Sequence, residues 1–231
     1  MNARGPQGTL ASLEERLVAD LHPVRPLKPR RVCLLVLALG LGVGFGVLWP
    51  TLGLRGDAGA LGALGLWSST FVTIGMSSVL IVLALRRGVP GNLPSAGALA
   101  LFPILSIGLN AGIYLLIYRQ SPSSPPLQQA ASAAWRCFAM ELCLGVPFLL
   151  LLLLLARRGV THRPMAPAAV GGLGVALVAD AVWRLVCPFS EPAHVVASHG
   201  PGITVVVALA VLLAFLWDRS RLKAWRRRAA S

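Results

Sequence analysis

Six long apolar blocks, separated by basic, Pro/Gly-containing or Ser-rich stretches, set the pattern of this chain. They lie at about residues 32–49, 64–85, 96–118, 137–156, 167–186 and 202–217. A helix rises about 1.5 Å per residue, so roughly 20 apolar residues cover the hydrocarbon core of a bilayer. The pattern therefore predicts an all-α integral membrane protein, a bundle of six transmembrane helices spanning residues 32–217. Outside the blocks, Leu10, Leu13, Leu17 and Leu21 fall on one helical face, and Ser12 and Glu15 have the spacing of a capping box. Pro23, Pro26 and Pro29 then stop that helix and give a stiff, extended approach to the membrane. Residues 1–31 read as an N-terminal segment and residues 218–231 as a basic tail. The first apolar block begins too far in and runs too long for a cleaved signal peptide.

Composition and charge sharpen this picture. Apolar residues make up 56% of the chain and charged residues 13%, with a mean hydropathy of +0.74; a soluble domain carries about 25% charged residues. The net charge of +13 suggests nucleic acid at first sight. The basic residues flank the apolar blocks, however, where they orient spans, and no direct nucleic-acid contact is expected. Of the 21 Lys and Arg, seventeen fall in segments on one side of a six-span arrangement and three on the other, while Arg184 lies inside a block. The positive-inside rule then puts both termini in the cytoplasm. No segment outside the bilayer is long enough for an independent enzyme domain.

The candidate chemistry lies in blocks four and five. Ionisable groups within a membrane are costly and are functional candidates by default. Glu141 stands in the fourth block, and Asp180 and Arg184 in the fifth, where a spacing of four puts them on one helix face. Cys137 precedes Glu141 by one turn, and Cys187 follows Arg184 on its face. Antiparallel spans four and five would bring Cys137 and Cys187 to the same height at the outer surface. A disulfide, a shared metal ion or plain packing all fit that spacing. His194 and His199 belong to the outer loop that follows and extend the set towards a metal-binding or oxidant-sensitive cluster. Against this stands a simpler role for Glu141, Asp180 and Arg184, a buried salt-bridge cluster that specifies helix packing. Cys33 and Cys143 read as small apolar fillers. Gly40, Gly42, Gly44 and Gly46 in the first block would let a neighbouring helix approach closely.

Enzyme signatures do not occur: there is no G-x-S-x-G, H-E-x-x-H, P-loop or dinucleotide-binding glycine loop. Neither catalysis nor a cofactor is expected. A small multi-span transporter is the alternative function. Transporters place broken helices at the midplane of both halves, and here the sixth block has no internal Pro or Gly to match Pro103 and Gly108 in the third.

Several stretches together resemble one family. Leu17-Val18-Ala19-Asp20-Leu21-His22-Pro23-Val24-Arg25-Pro26-Leu27 looks like an L-x-x-D-L-x-P-V-R-P-L signature. Trp135-Arg136-Cys137, Pro147 and Ala156-Arg157-Arg158-Gly159 mark the fourth block, and Cys187-Pro188 with His194 and His199-Gly200 marks the outer loop. In order and spacing these resemble the NrsF-like bacterial inner-membrane anti-sigma factors, six-span proteins with a short cytoplasmic N-terminus. Ser198 departs from the aromatic residue that many members carry before the second histidine. The resemblance implies an inner-membrane protein that sequesters an extracytoplasmic-function sigma factor and represses transcription until light, an oxidant or a metal inactivates it. A light-responsive regulator of carotenogenesis stands in the same group, which adds carotenoid biosynthesis as an implied output. The leucine face of residues 10–21 would dock in a groove of the sigma factor. Cys137, Cys187, His194, His199, Glu141, Asp180 and Arg184 would sense the stimulus or couple it to the bundle.

Overall fold

The computed structural model describes residues 29–56, 58–86, 95–120, 127–156, 164–187, 189 and 192–229. Leu10, Leu13, Leu17 and Leu21 lie outside the described residues. The described residues are helical throughout apart from connections, with no strand among them. Helix α1 (Pro29–Val43) passes through a single π turn (Gly44–Leu48) into α2 (Trp49–Leu52). Gly53, at φ +77°, ends α2 in a conformation that costs a glycine little. The chain then turns back, and the Arg55 N–H donates to the Leu185 carbonyl at 2.9 Å. There follow α3 (Ala58–Arg86), α4 (Ala96–Gln120), α5 (Leu127–Ala156), α6 (Met165–Arg184), the short α7 (Pro192–Ala197) and α8 (His199–Ala229).

Five of the described helices begin before the apolar blocks that predict them, α5 by the widest margin. The sequence between the third and fourth blocks, Ser/Pro/Gln-rich from Ser121 to Gln129, reads as a solvated loop, yet helix begins at Leu127, where Ala130, Ala131, Ala133 and Ala134 favour it without any help from lipid. Helix α8 opens at His199 rather than at residue 202. Among the described residues, five helices are long and apolar enough to cross a membrane: Arg30–Leu52, Trp67–Arg86, Ser132–Ala156, Met165–Arg184 and His194–Ser220. Helix α4 contributes a shorter apolar stretch, Ala100–Ile113.

Helix α6 is the centre of the bundle. Every residue from Val170 to Leu185 is buried, and α6 packs against α3, α5 and α8. Small residues make that possible, because lipid offers no hydrophobic drive between helices and close approach must supply the attraction. A Cβ on Gly172 would sit 2.6 Å from the Ala210 Cβ, and one on Gly174 would meet the Ser77 carbonyl at 3.0 Å. The glycines of α1 and its π turn divide by face. Gly40 and Gly44, one turn apart, would carry a Cβ to 2.7 Å from Val178 and 2.9 Å from Val182 of α6, whereas Gly42 and Gly46 face open space. At one end of the bundle Leu185 is enclosed by Phe45, Leu54, Ala58, Trp67 and Ile113. That plug fixes where the chain leaves α6 and where the candidate site begins.

Candidate functional site

The site is assembled from four helices. Cys137 and Glu141 project from one face of α5, and Asp180 and Arg184 from one face of α6. Cys187 follows α6 directly, and its N–H still donates to the Trp183 carbonyl at 2.9 Å, so one further turn carries the thiol inward. His194 lies on α7 and His199 opens α8; between them the Ser198 N–H donates to the His194 carbonyl at 2.9 Å. The sequence places both histidines in an outer loop, but here both are helical and buried, at 2% and 1% exposure. Pro192 starts the short helix that draws them in.

These residues form two groups that share His199. In the first, the Cys137 and Cys187 sulfurs are free thiols 3.5 Å apart. The Cys187 Sγ lies 3.7 Å from His194 Nε2, and one ligand atom from each of Cys137, Cys187, His194 and His199 falls within 4.8 Å of the others. In the second, His199 Nδ1 lies 2.9 Å from Asp180 Oδ1 and 3.1 Å from Glu141 Oε1. Arg184 Nη2 donates to Asp180 Oδ2 and, at 3.1 Å, to Asn110 Oδ1 of α4. Thr73 of α3 also donates to Asn110 Oδ1, at 3.1 Å. The spacing-based pairing of Asp180 with Arg184 is thus present, and the two cysteines do share a height.

The geometry restricts the protonation pattern. A nitrogen between two carboxylate oxygens shares one proton with them, and Nδ1 carries that hydrogen wherever both carboxylates are ionised. Nε2 is then the nitrogen turned to other chemistry, as in carboxylate–histidine–metal arrangements. Two thiols and two imidazoles are the ligand set of a tetrahedral zinc-type site, and thiols are also the groups that oxidants attack first. Two carboxylates, one guanidinium and one imidazole occupy the interior, each at most 3% exposed. Removing any one partner would leave a charge without compensation in a low-dielectric setting.

Two residues of this network have no place in the spacing argument. Asn110 and Thr73 are buried in helices read as lipid-type spans, and they join α3 and α4 to Arg184. A lone Asn midway along an apolar block is a signal that could have marked Asn110. The other two cysteines stand apart from the cluster. Cys33 is buried and directs its thiol to the Ser78 carbonyl at 3.7 Å. Cys143, expected as a filler, is exposed on the surface of α5.

The family of negative regulators of sigma F, NrsF, matches residues 17–219. The chain belongs to the NrsF family. None of the curated proteins and none of the solved structures compared with it matches. The match runs through every residue of both groups and reaches back to Leu17, in the segment ahead of the first membrane helix. The family description implies a sigma factor as the partner of this chain.

Proposed function

We propose that this chain holds an extracytoplasmic-function sigma factor at the cytoplasmic face of a bacterial inner membrane and releases it when the thiol–imidazole cluster is altered. The observation that carries this reading is the family match over residues 17–219, which takes in Leu17 and Leu21 of the N-terminal leucine face together with the cluster. In this reading the bundle crosses six times, with α4 as the third span and both termini inside, as the seventeen-to-three distribution of basic residues supports. Leu10, Leu13, Leu17 and Leu21 form the docking face. Cys137, Cys187, His194 and His199 receive a metal ion or an oxidant at the outer end, and Glu141, Asp180 and Arg184 transmit the change. Asn110 gives that transmission a path to α4 and α3.

The test is a reporter driven by the cognate sigma factor in cells lacking the chromosomal copy. Deleting residues 10–27, or substituting Leu13→Asp with Leu17→Asp, should abolish repression while the protein stays in the membrane at parental levels. Repression that survives both changes would sink the assignment of the docking face. A transporter would respond in the opposite way, tolerating the N-terminal changes and losing function on Glu141→Gln. Transcript profiles of the deletion strain would name the output, with carotenoid biosynthesis the one the family resemblance suggests.

A further inference from the structure

The ligand atoms of the thiol–imidazole group already lie close to the corners of one small tetrahedron. An ion with two sulfurs at about 2.3 Å and two nitrogens at about 2.0–2.1 Å holds those four atoms roughly 3.3–3.8 Å apart. The Cys137 and Cys187 sulfurs are 3.5 Å apart, and the Cys187 Sγ is 3.7 Å from His194 Nε2. The whole set, His199 included, falls within 4.8 Å, so side-chain movements of about 1 Å close the remaining edges. The ligands come from α5, the turn after α6, α7 and α8, and a single ion ties these four segments together. Each of the four residues is at most 3% exposed. Four protein ligands complete the tetrahedron, which is the closed, structural kind of site. Charge favours the same occupant: a divalent ion with two thiolates and two neutral imidazoles carries no net charge, the form that burial penalises least. Thiolate and imidazole together select a borderline-soft ion over magnesium or calcium. Behind the ligands, Asp180 and Glu141 face His199 Nδ1 at 2.9 and 3.1 Å, an outer shell that orients the ring with Nε2 as its ligand atom. An entry path is present too, since Cys137 and Cys187 both line a cleft of about 690 Å³.

We propose that the folded chain binds one divalent ion of the zinc class through Cys137 Sγ, Cys187 Sγ, His194 Nε2 and His199 Nε2, with Asp180 and Glu141 as positioning residues for His199. On binding, four metal–ligand bonds form, the two thiol protons pass to solvent, and no group changes oxidation state. This deepens the reading of the cluster given above and rests on it for its regulatory meaning, while the binding itself needs no sigma factor.

The experiment uses the full-length chain carrying Cys33→Ser and Cys143→Ser, purified in nanodiscs with a histidine-free tag, reduced, stripped with a chelator and titrated with cobalt(II) and then zinc. About one equivalent of cobalt should bring up the intense visible absorption of a four-coordinate site together with a sulfur-to-cobalt charge-transfer band. Zinc should then abolish both, and should raise the thermal midpoint of the stripped protein. Cys137→Ser with Cys187→Ser should lose the charge-transfer band and the bound metal, and His194→Gln should weaken zinc binding. Glu141→Gln should keep the stoichiometry and the band while weakening cobalt binding roughly 10–100-fold, the range for a lost outer-shell partner. Deleting residues 10–27 should leave the titration unchanged, so that failure of the docking face and failure of the metal site are read separately. Reduced protein that takes up neither ion, a weak six-coordinate spectrum without the charge-transfer band, or binding that survives loss of both thiols would overturn the proposal.

Discussion

His199 is the residue on which the two halves of the cluster depend, since one imidazole faces the carboxylates and also belongs to the thiol group. Any event that takes up Nε2 changes the proton demand at Nδ1, and therefore the partner of Asp180. The charges behind it are closely matched. Asp180→Asn leaves Arg184 short of its counter-charge and should destabilise the protein by about 3–5 kcal/mol, the range for a broken buried pair. Thermal unfolding in detergent would measure it, and an unchanged midpoint would mean that the remaining partners, Asn110 among them, satisfy the guanidinium. Cys137→Ser with Cys187→Ser should fold and repress as the parent does, yet fail to respond to metals, oxidants or light. A normal response would reduce the two cysteines to packing residues. At this scale the spacing of four between Cys137 and Glu141, and between Asp180 and Arg184, was enough to foresee two faces. The sequence already grouped His199 with the thiols; that its Nδ1 would also reach Glu141 and Asp180 was not legible, because the loop assigned to it folds as the helices α7 and α8.

Among the elements, α6 shows how much packing here rests on the absence of side chains. Gly172→Ala would drive a Cβ to 2.6 Å from that of Ala210, an atom that moves only with its backbone. Overpacking of this kind costs about 1–3 kcal/mol. Gly42→Ala meets nothing within 4 Å and removes a helix-weakening glycine, so it should be neutral or stabilising by roughly 0.5–1 kcal/mol. Parallel thermal melts of the two variants would check the pair; equal effects would contradict the inward facing of Gly172 and the open surroundings of Gly42. The apolar blocks themselves were plain in the sequence because each is long and bounded by charge or turn residues. Which glycines face inward was not, since a helix with lipid on its other side has no polar face to fix its rotation.

For the whole molecule, orientation is the property that the sequence carries most directly, in the uneven placement of its arginines. Reporter fusions after Arg87 and Arg163 should read cytoplasmic, and fusions near Gly56 and Ser123 external; an external reading after Arg163 would break the six-crossing arrangement. Helix α4 is the decisive span, because its apolar stretch is short and a polar hold through Asn110 fastens it to the bundle. The burial of α6 has a consequence for how the protein is made. It is the least apolar of the five membrane-length helices described, and 78% of its most apolar stretch is buried, against 22% to 39% for the others. With Asp180 and Arg184 near its end, α6 is the segment least able to partition from the translocon into lipid alone. It would wait beside earlier helices until α8 emerges and encloses it. Chains truncated at Ser198 should therefore leave α6 incompletely integrated, extractable by alkaline carbonate and rapidly degraded in a pulse-chase. Chains continued through Ser220 should resist both, which would make synthesis of the last helix the step that commits the bundle to the membrane.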